Sequence, residues 1–87
     1  MKHADIDVDR VKALMGLGLA AREAEVLYWI TEGKTNPEIA IIVGASPNTV
    51  KKHAAYLYAK LGVPRGISAA RHALSVLFAN LTSFPLF

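Results

Sequence analysis

Lys51, Lys52 and His53 stand in the first two turns of a segment that opens with Ser46-Pro47. Serine followed by proline is a common helix start. The hydroxyl caps an orphan N–H, and proline at the first position loses no intrahelical bond. The N-terminal end of a helix carries partial positive charge and disfavours cations. Cations placed there make physical sense if an anion sits against them. Phosphate suits both lysine ammonium groups and a helix N-terminus. The alternative is a solvated cationic face of the kind any surface helix carries.

Rotation by 100° per residue separates the faces of this helix. Val50, Ala54, Leu57 and Leu61 fall on one stripe, the core side. Asn48, Lys51, Lys52, Ala55 and Ala59 lie opposite, with Thr49, His53 and Lys60 flanking them. The cations therefore leave the helix together. The segment just upstream reads as a short helix and a Gly44-Ala45-Ser46 turn. Helix, short glycine turn and second helix form a helix-turn-helix, whose second helix presents its N-terminal residues to base edges in the major groove.

Competing chemistry is poorly represented. His3, His53 and His72 lack metal-ligand spacing. The run Asp5-Ile-Asp7-Val-Asp9 starts like a calcium loop, but Arg10 stands where that loop needs glycine and Gly16 where it needs glutamate. There is no cysteine, no serine in a Gly-x-Ser-x-Gly context and no glycine-rich phosphate loop. No metal, cofactor or enzymatic activity is expected.

The elements that position the lysines follow from caps and breakers. Asp9 is expected to cap a short helix over 10–15, broken by Gly16 and Gly18. A second helix runs from about Ala21 to Glu32 and ends at Gly33. Thr35 and Glu38 have capping-box spacing for a third, with Asn36 before Pro37 a competing cap; Ile39, Ala40 and Val43 would face inward. The lysine-bearing helix stops at Gly62, and a last helix spans about 67–81. No strand pattern or repeat appears. The expected fold is all-α with a helix-turn-helix. Its expected division is a tail and short helix over 1–18, the domain over 19–81 and an apolar tail over 82–87.

At 87 residues the chain is expected to be one small domain, and a domain of that size buries only about 60% of its unfolded surface. Its 53% hydrophobic and 20% charged content argues for a folded domain rather than disorder. The net charge of +3 is too mild to indicate a nucleic-acid partner, so the placement of the charge carries that argument. The longest apolar run, Ile39 to Ala45, is far short of the ~20 residues of a membrane helix. Absence of cysteine fits a reducing cytoplasm, the expected location.

The sequence resembles the LuxR-type (GerE-like) DNA-binding domain of bacterial transcription regulators over about Leu19 to Leu77. Three stretches carry the resemblance in order: "LAAREAEVLYWITEG", "KTNPEIAIIVGAS" and "NTVKKHAAYLYAKLGV". It implies a four-helix bundle whose third helix reads double-stranded DNA, with Lys51 and Lys52 as base readers. Ala55 would face the groove, and Thr49 and His53 the DNA backbone; Asn48, on the same outward face, is a further expected DNA contact. Tyr56 flanks the same surface, within reach of sugar-phosphate.

The family's last helix commonly pairs with its copy. On the last helix here, Ala70, Leu74, Leu77, Phe78 and Leu81 form a stripe suited to the core. A second stripe, Ala69, Ala73, Val76 and Asn80, is then expected to meet a two-fold partner. Three departures from the family pattern bear on function. Ala20 replaces a capping threonine, at a cost of about 1 kcal/mol. Ala55 stands where a polar residue is usual, leaving only a methyl to touch thymine. Ile41 and Ile42 replace charged residues and, if exposed, make an apolar patch. With the 82–87 tail, that patch motivates the rival expectation of a protein-interaction module with little DNA binding.

Overall fold

The computed structural model describes residues 7–81, with side chains as far as Phe78. It contains five helices: α1 (Val8–Met15), α2 (Ala21–Thr31), α3 (Asn36–Val43), α4 (Pro47–Leu61) and α5 (Gly66–Leu81). Among the described residues there is no strand. The all-α expectation holds, with the short first helix added to the bundle of four.

α2 is the central element. It packs against α1, α4 and α5, while α3 rests mainly on α4. The core collects Leu27, Ile39, Val50 and Leu57, all fully inaccessible, with Trp29 also buried. The Trp29 and Tyr28 rings meet edge to face at 4.9 Å, an arrangement favoured by the ring quadrupoles. Trp29 is therefore a core residue.

α1 belongs to this core rather than to a separate tail. Val11 and Leu14 are buried, and α1 packs on both α2 and α5. Its cap is Asp7, not Asp9. The Asp7 carboxylate accepts the Arg10 backbone N–H at 3.1 Å and pairs with the Arg10 guanidinium at 3.3 Å. The helix therefore begins two residues earlier than expected.

The largest correction concerns α5. Ala69 and Ala73, assigned to a partner-facing stripe, are fully buried within the bundle. Val76 is half-buried, and the Asn80 side chain lies outside the described residues. Leu74 and Phe78, assigned to the core, are 52% and 68% exposed. Of the large residues of the expected core stripe that are described, only Leu77 is buried. The helix is turned about one residue's rotation, ~100°, from the expected setting. The physical reason is separation between helices: alanine lets the α5 backbone approach its neighbours closely, where leucine and phenylalanine would hold it off. Gly66 serves the same approach at the start of α5, since a Cβ there would stand 3.0 Å from the Tyr58 hydroxyl oxygen.

A substitution tests this setting. Ala73→Leu is expected to lose about 1–3 kcal/mol by overpacking, read as a lower urea midpoint. An outward-facing position 73 would leave the midpoint unchanged.

Candidate nucleic-acid interface

The interface is built on a turn that holds α3 and α4 at a set angle. Gly44 ends α3 with φ of 72°, a left-handed conformation that glycine adopts without steric cost. The next amide, that of Ala45, bonds back to the Ala40 carbonyl at 2.9 Å. Ser46 then caps α4, its hydroxyl accepting the Thr49 N–H at 3.1 Å. Its Oγ also lies 3.0 Å from the Thr49 Oγ1. Pro47 occupies the first helical position, as Ser-Pro predicts.

α3 is fixed at both ends. The capping box forms with Thr35, not Asn36, as the cap. The Glu38 carboxylate accepts the Thr35 N–H at 2.8 Å, and the Thr35 hydroxyl accepts the Glu38 N–H at 3.4 Å. The Thr35 N–H first, and then the Thr35 hydroxyl donating to the same carboxylate at 3.1 Å, hold the Glu38 carboxyl below its ordinary pKa. At the other end, Arg22 Nη1 on α2 donates to the Val43 carbonyl at 3.3 Å. That guanidinium also pairs with Glu25 at 3.0 Å. It supplies a partner for one of the carbonyls a helix C-terminus leaves open.

α4 divides as its sequence pattern requires. Val50, Ala54 and Leu57 are buried, and Asn48, Thr49, Lys51, Lys52, Ala55, Tyr56 and Ala59 are exposed. Lys51 and Lys52 enter no ion pair among the described residues. Their charge faces outward from the second turn of the helix. Tyr56 is 61% exposed on the same helix. His53 is half-buried, on the flank of α4 that also carries Lys60. Tyr58 is the structural tyrosine: it is half-buried under α5, and burial raises the pKa of its hydroxyl.

Lys60 has a different fate. Its ammonium lies 2.8 Å from Glu23 Oε1 at the start of α2. That oxygen also accepts the Ala20 N–H at 2.9 Å. Glu23 thus completes its half of a capping box although Ala20 offers no side-chain acceptor. Its side chain is only 9% exposed. The bond from Lys60 outweighs burial and holds the Glu23 carboxyl below its ordinary value of 4.5, with His53 adding to the effect. Sequence reasoning missed this pair. The only local signal was Glu23 at the third position of α2, the place from which a carboxylate reaches back to a cap.

A lowered carboxyl pKa ties stability to pH. The contribution of Glu23 is complete above its ordinary value of 4.5 and is lost as pH falls through the lowered folded-state value. The fall in melting temperature between pH 6 and pH 3 should therefore be steeper in the parent than in Glu23→Gln. Equal falls would mean that the carboxylate contributes nothing.

The patch proposed for a protein partner is smaller than expected. Ile41 is 74% exposed, but Ile42 is half-buried against the core. The 82–87 tail lies outside the described residues. Among the described residues, no helix is long and apolar enough to cross a membrane.

A short capped helix, a glycine turn and a second helix that bares adjacent lysines define a helix-turn-helix module of the nucleic-acid-binding class. Comparison with known families agrees. Residues 17–73 match the model of the bacterial regulatory proteins of the luxR family, and the chain belongs to that family. It is 49% identical over 53 residues to the transcriptional activator protein YukR of Yersinia ruckeri, covering 61% of this chain and 23% of that protein. Identity to the transcriptional activator protein EsaR of Pantoea stewartii is 50% over 52 residues, 60% of this chain and 21% of the relative. A longer match, 43% over 68 residues, is to the probable transcriptional regulatory protein SgaR of Hyphomicrobium methylovorum, covering 77% of this chain and 32% of that protein. The chain thus corresponds to a third or less of each of these relatives. No solved structure gave a significant match.

Proposed function

We propose that the chain binds double-stranded DNA through α4 and regulates transcription, either alone or as the effector part of a longer regulator. The observation that carries this reading is the pair Lys51 and Lys52, exposed side by side on the outer face of the helix that follows the turn. Phosphate attraction supplies salt-dependent affinity. Asn48, Lys51, Lys52 and Ala55 meet base edges, and Thr49, His53 and Tyr56 lie beside the sugar-phosphate backbone. A good base contact discriminates by about 1–3 kcal/mol. Ala55 offers only a methyl group, which suits the C5-methyl of thymine.

Two copies would read paired half-sites about 34 Å apart, one turn of the duplex. With Ala69 and Ala73 consumed by the core, the α5 residues suited to a two-fold contact are Ile67 and Leu74, 70% and 52% exposed. Leu74→Glu should then shift sedimentation from dimer to monomer.

The test of DNA binding is selection from random duplexes, followed by affinity measurements across salt concentrations. Binding that weakens steeply with salt supports the reading. A chain that retains no duplex at any salt is an adaptor instead, docking through Ile41. The retreat of Ile42 into the core leaves that rival with a small surface.

A further inference from the structure

The Glu23–Lys60 pair joins the start of α2 to the last turn of α4, residues 37 apart in sequence. On α4, Lys60 lies two turns beyond His53 on the same face, since seven residues return the helix to nearly the same angle. That face is the flank turned toward α2. Glu23 therefore receives the Lys60 ammonium and the Ala20 N–H on one nearly buried oxygen. This contact is built quite differently from the exposed pairs Arg10–Asp7 and Arg22–Glu25, which join neighbouring residues of one helix. It is the one ion pair among the described residues that joins two different helices.

We propose that Lys60 is a positioning residue for DNA reading: it touches no DNA, and its bond to Glu23 sets the orientation of α4 on α2, and with it the presentation of Lys51 and Lys52. The inference rests on the DNA-binding reading above. Core packing through Val50, Ala54 and Leu57 seats α4 but is non-directional, so it tolerates small rotations. A hydrogen-bonded ion pair at the far end of the helix does not. The N-terminal residues lie about 14 Å away along the helix at its 1.5 Å rise per residue, so a small tilt at Lys60 displaces them across base edges.

Removing Lys60 alone would strand a buried carboxylate and threaten the fold. The informative variant is therefore the double Glu23→Gln, Lys60→Met. It removes both charges, keeps the aliphatic stem of position 60 and leaves an amide oxygen to accept the Ala20 N–H. Lys60→Arg is the conservative control, and Lys51→Ala the reference for a true DNA contact. All are measured at a temperature where circular dichroism shows them folded, on a duplex selected by the parent.

The double variant should bind about tenfold more weakly at every salt concentration, with an unchanged slope of log affinity against log salt. Lys60→Arg should restore parental affinity. Lys51→Ala should weaken binding and relax the base preference at the position it reads, as loss of a direct base contact does. Amide residual dipolar couplings of the free protein supply a reading independent of DNA. In the double variant, α2 and α4 should each keep internal agreement but no longer fit their parental relative orientation. Unchanged couplings overturn the proposal. A salt slope lowered by about 0.9 in the double variant also overturns it, because Lys60 would then be a phosphate contact. A parent that selects no duplex overturns the DNA-binding reading, while the couplings still decide whether the pair sets the helix angle.

Discussion

Replacing Lys51 and Lys52 together by alanine is expected to abolish duplex binding while leaving the far-ultraviolet helical signal intact. Both side chains are exposed, and neither pairs with any described residue, so the fold loses nothing when they are shortened. Alanine is also the better helix former. Binding, by contrast, loses two contacts that no neighbour replaces. At about 1–3 kcal/mol for each base contact, the double variant binds at least about thirtyfold more weakly at fixed salt. Each single variant should lie between. The measurement is fluorescence anisotropy of a labelled selected duplex, with circular dichroism on the same samples. A double variant that binds like its parent would remove α4 from the interface and leave the turn as a structural feature only.

Leu57→Ala should have the opposite profile. Leu57 is fully buried at the middle of α4, the helix that packs against α2, α3 and α5. Truncating a buried leucine costs about 2–5 kcal/mol through lost transfer free energy and a residual cavity. Small domains hold only about 5–15 kcal/mol in all, and a chain of 87 residues belongs at the low end of that range. The variant is therefore expected to lose most of its stability and, near physiological temperature, much of its folded population. Urea unfolding should show a large fall in midpoint at an unchanged slope. An unfolding free energy within about 0.5 kcal/mol of the parent's, the range of ordinary surface substitutions, would show that α4 is not anchored through this side chain. Together the two variants separate the faces of one helix: the outer one for partners, the inner one for the fold.

The comparison of α4 with α5 shows what is legible in a sequence of this kind. On α4 the two faces differ in kind. Lysines and asparagine occupy one side and hydrocarbon the other, so polarity alone assigns them, and the structure agrees except at Leu61, which is only half-buried against the core. The helix boundaries were legible for the same local reason. Ser46 and Pro47 start α4, Thr35 and Glu38 start α3, and Gly44 and Gly62 end them through left-handed backbone at φ of 72° and 70°. Caps and breakers act within a turn of their own position, so no knowledge of distant residues is needed. The same argument failed at α1 by two residues, because Asp7 and Asp9 offer equivalent carboxylates and Arg10 chooses between them by pairing with Asp7.

On α5 both candidate faces are apolar, and periodicity measures only polarity. It cannot tell a stripe of alanines from a stripe of leucine and phenylalanine as the side that enters a core. That choice belongs to volume. The space beside α1 and α2 accepts methyl groups at Ala69 and Ala73 and sends Leu74 outward. Nor does any local pattern tie Lys60 to Glu23, since their contact exists only once α2 and α4 are packed together. The order of amino acids thus settles where this chain is helical, where each helix stops and which side of α4 carries charge. The folded assembly settles how α5 is rotated and which lysine is spent on the protein itself, because those outcomes depend on the shape of space between helices and on partners far away along the chain.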